Sequence, residues 1–224
     1  TDFGKTEQPL HPGKCEFEGG PAIWFGWADS GITLTNNYIH DGHWAGILLS
    51  ADDCVVSGNR IASVREAGIY GMPVNSIISG NRILNIRRKD CSAQGIELDH
   101  GARNVVVSGN VVTDTDYSSI AMTNPVQVSI SGNVCESPGR DGGSSPQSSC
   151  IAIYNGGQAL APTQVTISGN TLVSGGAHYG ISLNDNGGKP MDNMSVVGNN
   201  LGLATDWNRA PIHISPRAKG VHYL

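Results

Sequence analysis

The segment VVSGNRI at 55–61 returns as IISGNRI at 77–83. Looser copies follow as VVSGNVV, SISGNVC, TISGNTL and SVVGNNL, and TLTNNYI precedes them all. A motif that recurs this often dictates a stack of similar supersecondary units, because no single copy could bury its apolar side alone. The Asn of each copy falls at 37, 59, 81, 110, 133, 170 and 199, giving steps of 22, 22, 29, 23, 37 and 29. A floor near 22 with longer steps describes laps of constant girth that carry inserted loops. A second motif lies between the copies: PAIWF, AGILL, AGIYG, QGIEL, SSIAM, SCIAI, YGISL and APIHI. Two short strand-like runs per lap predict a solenoid of parallel strands.

Parity within the runs predicts which side chains point inward. The fifth and third residues before each Asn are Ile32/Leu34, Cys54/Val56, Ser76/Ile78, Val105/Val107, Val128/Ile130, Val165/Ile167 and Met194/Val196. Two residues after each Asn stand Ile39, Ile61, Ile83, Val112, Cys135, Leu172 and Leu201. These columns are almost wholly apolar, as stacked strands with a period of two require. At the Gly-Asn step the chain has to bend. Both residues accept left-handed backbone angles, and an Asn amide can bond its stacked neighbours. The repeated Asn is therefore expected to form an internal ladder, not a catalytic series.

From Pro21 to Ile214 this pattern resembles the right-handed parallel β-helix of the pectate-lyase-like superfamily. The resemblance implies an all-β fold, a solenoid of about 7–8 coils with an internal Asn ladder. It divides the chain into an N-terminal extended segment, 1–20, and a single β-helix domain, 21–224. A leucine-rich repeat is the rival architecture, but its leucine spacing and helical segments are absent. The superfamily fold hosts hydrolases, lyases, epimerases, phage tailspikes and adhesins. It implies a polysaccharide partner, an extracellular, periplasmic or virion-associated address, and either an enzyme or a non-catalytic carbohydrate-binding module. ADDCVV at 51–56 is similar to the Asp-Asp-Cys segment of polygalacturonases. Here, however, Asp52 and Asp53 enter the SGN-type strand, and the companion NTD, GHG and RIK motifs are missing, so no catalytic role transfers. ELDHGAR at 97–103 only echoes the DPHD signature of mannuronan epimerases.

Composition narrows the partners. A net charge of −5 with dispersed basic residues argues against nucleic acid. No apolar run approaches a membrane span, and no signal peptide is evident. No capping helix is legible before Pro21, so a processed chain or fragment is expected, its first coil covered by upstream sequence or a partner. Val55, Ile77 and Val106 line up outward and predict a homo-oligomer contact, a trimer if the protein is tailspike-like. Cys54, Cys135 and Cys150 read as buried thiols, with a Cys135–Cys150 bridge left open; Cys15 and Cys91 fall in loops. No cofactor or metal is expected. A metal held by Glu97, Asp99 and His100 fails because His100 has the opposite parity.

Candidate site residues collect on one side. The GI-to-SGN connections (ADD, PVN, GARN, NPVQ) are bland, whereas the loops leading into the GI strands vary and carry charge and aromatic rings. The outward column of the GI strands runs Trp24, Leu48, Tyr70, Glu97, and the next contains Asp99 and Tyr154. Alternate strand residues stand about 6.5–7 Å apart, overlapping the roughly 6.5–9.5 Å that separates acid from base in inverting glycosidases. Glu97 and Asp99 are thus the candidate acid and base. Arg87, Arg88 and His178 are the alternative set, with Arg neutralising a uronate and His removing its C5 proton. Trp24, Trp44, Tyr70, Tyr117, Tyr154 and Tyr179 are the candidate sugar-stacking rings.

Overall fold

The computed structural model describes residues 20–87, 93–139, 148–157, 160–175, 177–185, 189–202 and 210–223. Among these, all regular structure is strand, and every pairing is parallel between successive laps of a right-handed β-helix. Sheet A holds the eight GI strands, from Ile23–Phe25 to Ala210–Ile214. Sheet B holds eight strands, the seven SGN-type runs from Thr33–Thr35 to Asp192–Val197 and a last one at Val221–Tyr223. The expectation of two runs per lap needs correction. The residues after each Asn form a separate six-stranded sheet C, from Tyr38–His40 to Thr171–Val173. The Gly-Asn bend is sharp enough to cut one apolar run into strands of two different sheets.

The predicted inward columns form the core. Val56, Ile78, Val107, Ile130 and Ile167 of sheet B, and Ile61, Ile83, Val112 and Leu172 of sheet C, are fully buried. They meet Ile47, Ile69, Ile96, Ile120, Ile151 and Ile181 from sheet A. Packing also explains the glycine of the GI motif. A Cβ added at Gly95 would sit 2.2 Å from Val112 Cγ1, so sheet C leaves no room there for a side chain. Cys150 occupies the same slot in a later lap, its Sγ 3.8 Å from the Cys135 carbonyl oxygen. Both remain free buried thiols beside Cys54, and no bridge joins them. Cys15, Cys91 and residues 1–19 lie outside the described residues.

The Asn ladder runs unbroken from Asn37 to Asn199. The Asn81 backbone N–H and Nδ2 both donate to Asn110 Oδ1 at 3.0 Å, and Nδ2 also donates to the Val56 carbonyl. Asn110 repeats this toward Asn133 and Ile78, and Asn133 toward Asn170 and Val107. The glycine before each Asn takes the left-handed turn, with φ near 61–65° from Gly58 to Gly198; Asn36 replaces it at 58° in the first copy. Laddering Asn residues are thereby left free to bond.

A second left-handed column, not foreseen, opens the sheet B strands at Asp53, Asn75, Asn104, Gln127, Gln164 and Asn193, with φ of 51–56°. Asp53 therefore belongs to a turn that every lap repeats. Polar side chains that can hold such angles locally suit this position.

Candidate active site

Backbone pairing confirms the outer column of sheet A. Trp24 pairs with Leu48, Leu48 with Tyr70, Tyr70 with Glu97, Glu97 with Ala121, and Ala121 with Ala152. Trp24 is 67% exposed at one end of this row. Ala121 and Ala152, turned away from the core by parity, are nevertheless buried. The outer face of sheet A is therefore covered at these two rungs.

Glu97 sits between Tyr70 and Ala121 in this row. The Gln94 amide lies 2.9–3.0 Å from both Glu97 oxygens once its nitrogen is turned toward them. The opposite amide orientation suits a protonated Glu97 donating to the Gln94 oxygen. Burial first, and then the Asp99 and Glu66 carboxyls, together lift the Glu97 pKa to about 9. Glu97 is accordingly a neutral acid at neutral pH. Asp99, two residues on, accepts a hydrogen bond from Tyr70 Oη at 3.2 Å. Burial first, then Asp99 and Glu97, hold the Tyr70 hydroxyl well above its ordinary pKa. The Trp44 and Tyr70 rings lie 6.2 Å apart at 53°.

Tyr154 joins this group from two laps further along. Its hydroxyl is buried without a hydrogen bond of good geometry. Burial raises its pKa, the Ser118 hydroxyl lowers it, and Glu97 raises it again. The buried hydroxyl therefore lies within the electrostatic reach of the Glu97 acid. Gln94, Glu66 and Ser118 were missed as members of this group. Gln94 did carry a signal, being a long polar side chain paired with Ala67 at a position where five of the other laps place Ala or Ser, the exceptions being Pro21 and Tyr179.

The remaining candidates do not converge on Glu97. Arg87 Nη1 donates to the buried Asp116 carboxylate at 2.9 Å, and Nε to Asn85 Oδ1 at 2.8 Å. His178 opens the strand three rungs beyond that of Glu97, roughly 14 Å along the axis. Its ring meets Tyr179 edge-on, and Tyr179 is buried and stacked 4.8 Å from His213. Tyr117 packs against the core. Arg88 lies outside the described residues. Among the described residues, no group of three or more His, Cys, Asp or Glu could hold a metal ion.

The family model described as "Right handed beta helix region" matches residues 22–215. No curated protein sequence matches the chain. Among solved structures it is similar to the A-module of Azotobacter vinelandii mannuronan C-5 epimerase AlgE4, with 14% identity over 88% of this chain and a TM-score of 0.39. It is also similar to the AlgE6 A-module of the same organism, with 14% identity over 86% and a TM-score of 0.46. An alginate lyase from Paenibacillus sp. str. FPU-7 is 17% identical over 90% of this chain, with a TM-score of 0.48. The chain spans 65% and 57% of the two epimerase modules and 80% of the lyase.

Proposed function

Because the chain belongs to the right-handed β-helix family, whose fold leaves function to the site, we propose that the outer face of sheet A hydrolyses a polysaccharide. The observation that carries this reading is a partly buried Glu97 on the outward face of Gln94–Leu98, with Asp99 just past the strand's end and burial raising the Glu97 pKa. Glu97 gives its proton to the leaving glycosidic oxygen. Asp99 takes a proton from the water whose oxygen attacks the anomeric carbon. Solvent then returns a proton to Glu97 and removes one from Asp99. The two positions, about 6.5–7 Å apart along the strand, leave room for that water and correspond to inversion. Trp24, Trp44 and Tyr70 supply flat apolar faces for the sugar rings. A polymeric glycan of this kind is met outside the cytoplasm, which makes the protein extracellular, periplasmic or virion-associated.

Hydrolysis is favoured over elimination or epimerisation by the charges around the acid. Those reactions need a cation on the sugar carboxylate. Arg87 is bonded to Asp116, and among the described residues the charges that act on Glu97 are the carboxyls of Asp99 and Glu66. The test is a polysaccharide panel assayed for new reducing ends, with Glu97→Gln and Asp99→Asn beside the wild type. The expected result is reducing ends released without ultraviolet absorbance, falling at least a hundredfold in either variant. Unsaturated uronate products would assign a lyase, and retained glycan without turnover a binding module.

A further inference from the structure

The corner between sheets A and B, bland in sequence, carries two cavities. One, of about 360 Å³, is walled by Trp27, Asp52, His100, Arg103 and Leu160. The other, of about 500 Å³, is walled by Leu160, Pro190, Lys189, Asp192 and Lys219. Leu160, 51% exposed, belongs to both and forms the saddle between them. Backbone pairing strings their floor along the solenoid axis as Asp52, Val74, Arg103, Val126, Thr163 and Asp192. Five rung spacings make this trough roughly 24 Å long.

Its charge runs against that of the whole chain. Arg103, Lys189 and Lys219 are exposed, and none of them makes a side-chain ion pair among the described residues. The opposing carboxylates are Asp52 and Asp192, and one oxygen of Asp192 already accepts from the Asn193 backbone N–H at 2.9 Å. Lys189 and Lys219 stand three to four rungs from Arg103, roughly 14–19 Å. Trp27, 72% exposed, offers a flat face at the end of the trough.

The geometry points to a second glycan-binding groove, in which an acidic polysaccharide bearing anionic groups at intervals lies along the A–B corner, its charges on Arg103, Lys189 and Lys219 and one sugar ring on Trp27. A long, shallow, partly apolar trough with spaced cations suits a chain of rings better than a compact anion. The inference rests on the reading of the ligand as polysaccharide and is independent of where the bond is broken.

Affinity electrophoresis tests it, with gels containing dextran, lightly substituted carboxymethyl-dextran or polygalacturonate. The two acidic polymers should retard the protein at least tenfold more strongly than dextran. Arg103→Gln/Lys189→Gln/Lys219→Gln should abolish most of that difference, and Trp27→Ala should weaken it about fivefold or more, the lower end of what one lost stacking contact costs. Arg60→Gln/Arg82→Gln, removing two exposed cations from sheet C, should leave retardation unchanged. Equal retardation by dextran, or full retardation of the triple variant, overturns the groove. Glu97→Gln separates the two readings. Binding lost in the triple variant but kept in Glu97→Gln supports the groove whether or not turnover depends on Glu97. Binding lost only in Glu97→Gln places the glycan on sheet A alone and sinks the groove.

Discussion

The Asn ladder is a buried polar column at the B–C corner, and the Glu97 group is a partly buried one on the outer face of sheet A of the same solenoid. From Asn59 to Asn170 each ladder amide donates both to the next Asn and to a backbone carbonyl one lap back. In the Glu97 group the Tyr154 hydroxyl ends without a good partner, and the acid is held neutral beside two other carboxyls. Saturated polar columns hold a fold together. A column left open keeps hydrogen-bonding capacity and a perturbed pKa for something outside the chain. Substitutions at matched depth should separate the two kinds.

The largest effect belongs to the core that both columns lean on. Val107→Asp places a charge in a fully buried column and should prevent folding, seen as loss of the cooperative melt. Next comes the ladder. Asn110→Ala removes the acceptor of the Asn81 N–H and Nδ2 and the donor to Ile78 and Asn133. Urea unfolding should show a loss of about 3–5 kcal/mol. Arg87→Met removes the 2.9 Å ion pair to the buried Asp116, with a cost of about 1–3 kcal/mol, since Arg87 itself is partly solvated. Its reducing-end turnover should stay near wild type, which distinguishes a structural Arg from a substrate-binding one.

Tyr154→Phe should change stability least. Deleting a hydroxyl that already lacks a good partner should leave the unfolding free energy within about 1 kcal/mol of wild type. Its kcat/KM should nevertheless fall about tenfold or more if the sugar takes that hydroxyl. A Tyr154→Phe loss as large as that of Asn110→Ala would erase the distinction between the columns.

Much of the fold was legible in the sequence, because a solenoid turns three-dimensional stacking into a one-dimensional period. The spacing of SGN and GI motifs gave the inward columns, the ladder, and the pairing of Trp24, Leu48, Tyr70 and Glu97 along sheet A. The third sheet was hidden because an apolar run reads the same whether it continues straight or breaks at Gly-Asn. The site was legible only where it lies within one column. His178 shares a loop type with Arg87, yet it stands three rungs beyond Glu97, a separation that loop composition does not encode. Tyr154, two laps on, is linked to the acid only through the charge that Glu97 sets on its hydroxyl, and the trough at the A–B corner depends on Leu160 and Lys189, contributed by loops whose paths no periodicity predicts.

Ionisation of Glu97 is the point on which the catalytic account turns. Its pKa is raised from an ordinary 4.5 to about 9, so between these values the folded state holds a proton that the unfolded chain has lost. Stability from this group is complete below pH 4.5 and is lost as pH rises toward 9. The melting temperature of Glu97→Gln should therefore gain on that of the wild type between pH 5 and pH 9. The most direct measurement is a carbon-13 NMR titration of glutamate side-chain carboxyls, with Glu97→Gln identifying the resonance. The account predicts a midpoint near pH 9 for that carboxyl; a midpoint between pH 4 and 5 would contradict it and leave sheet A without its acid.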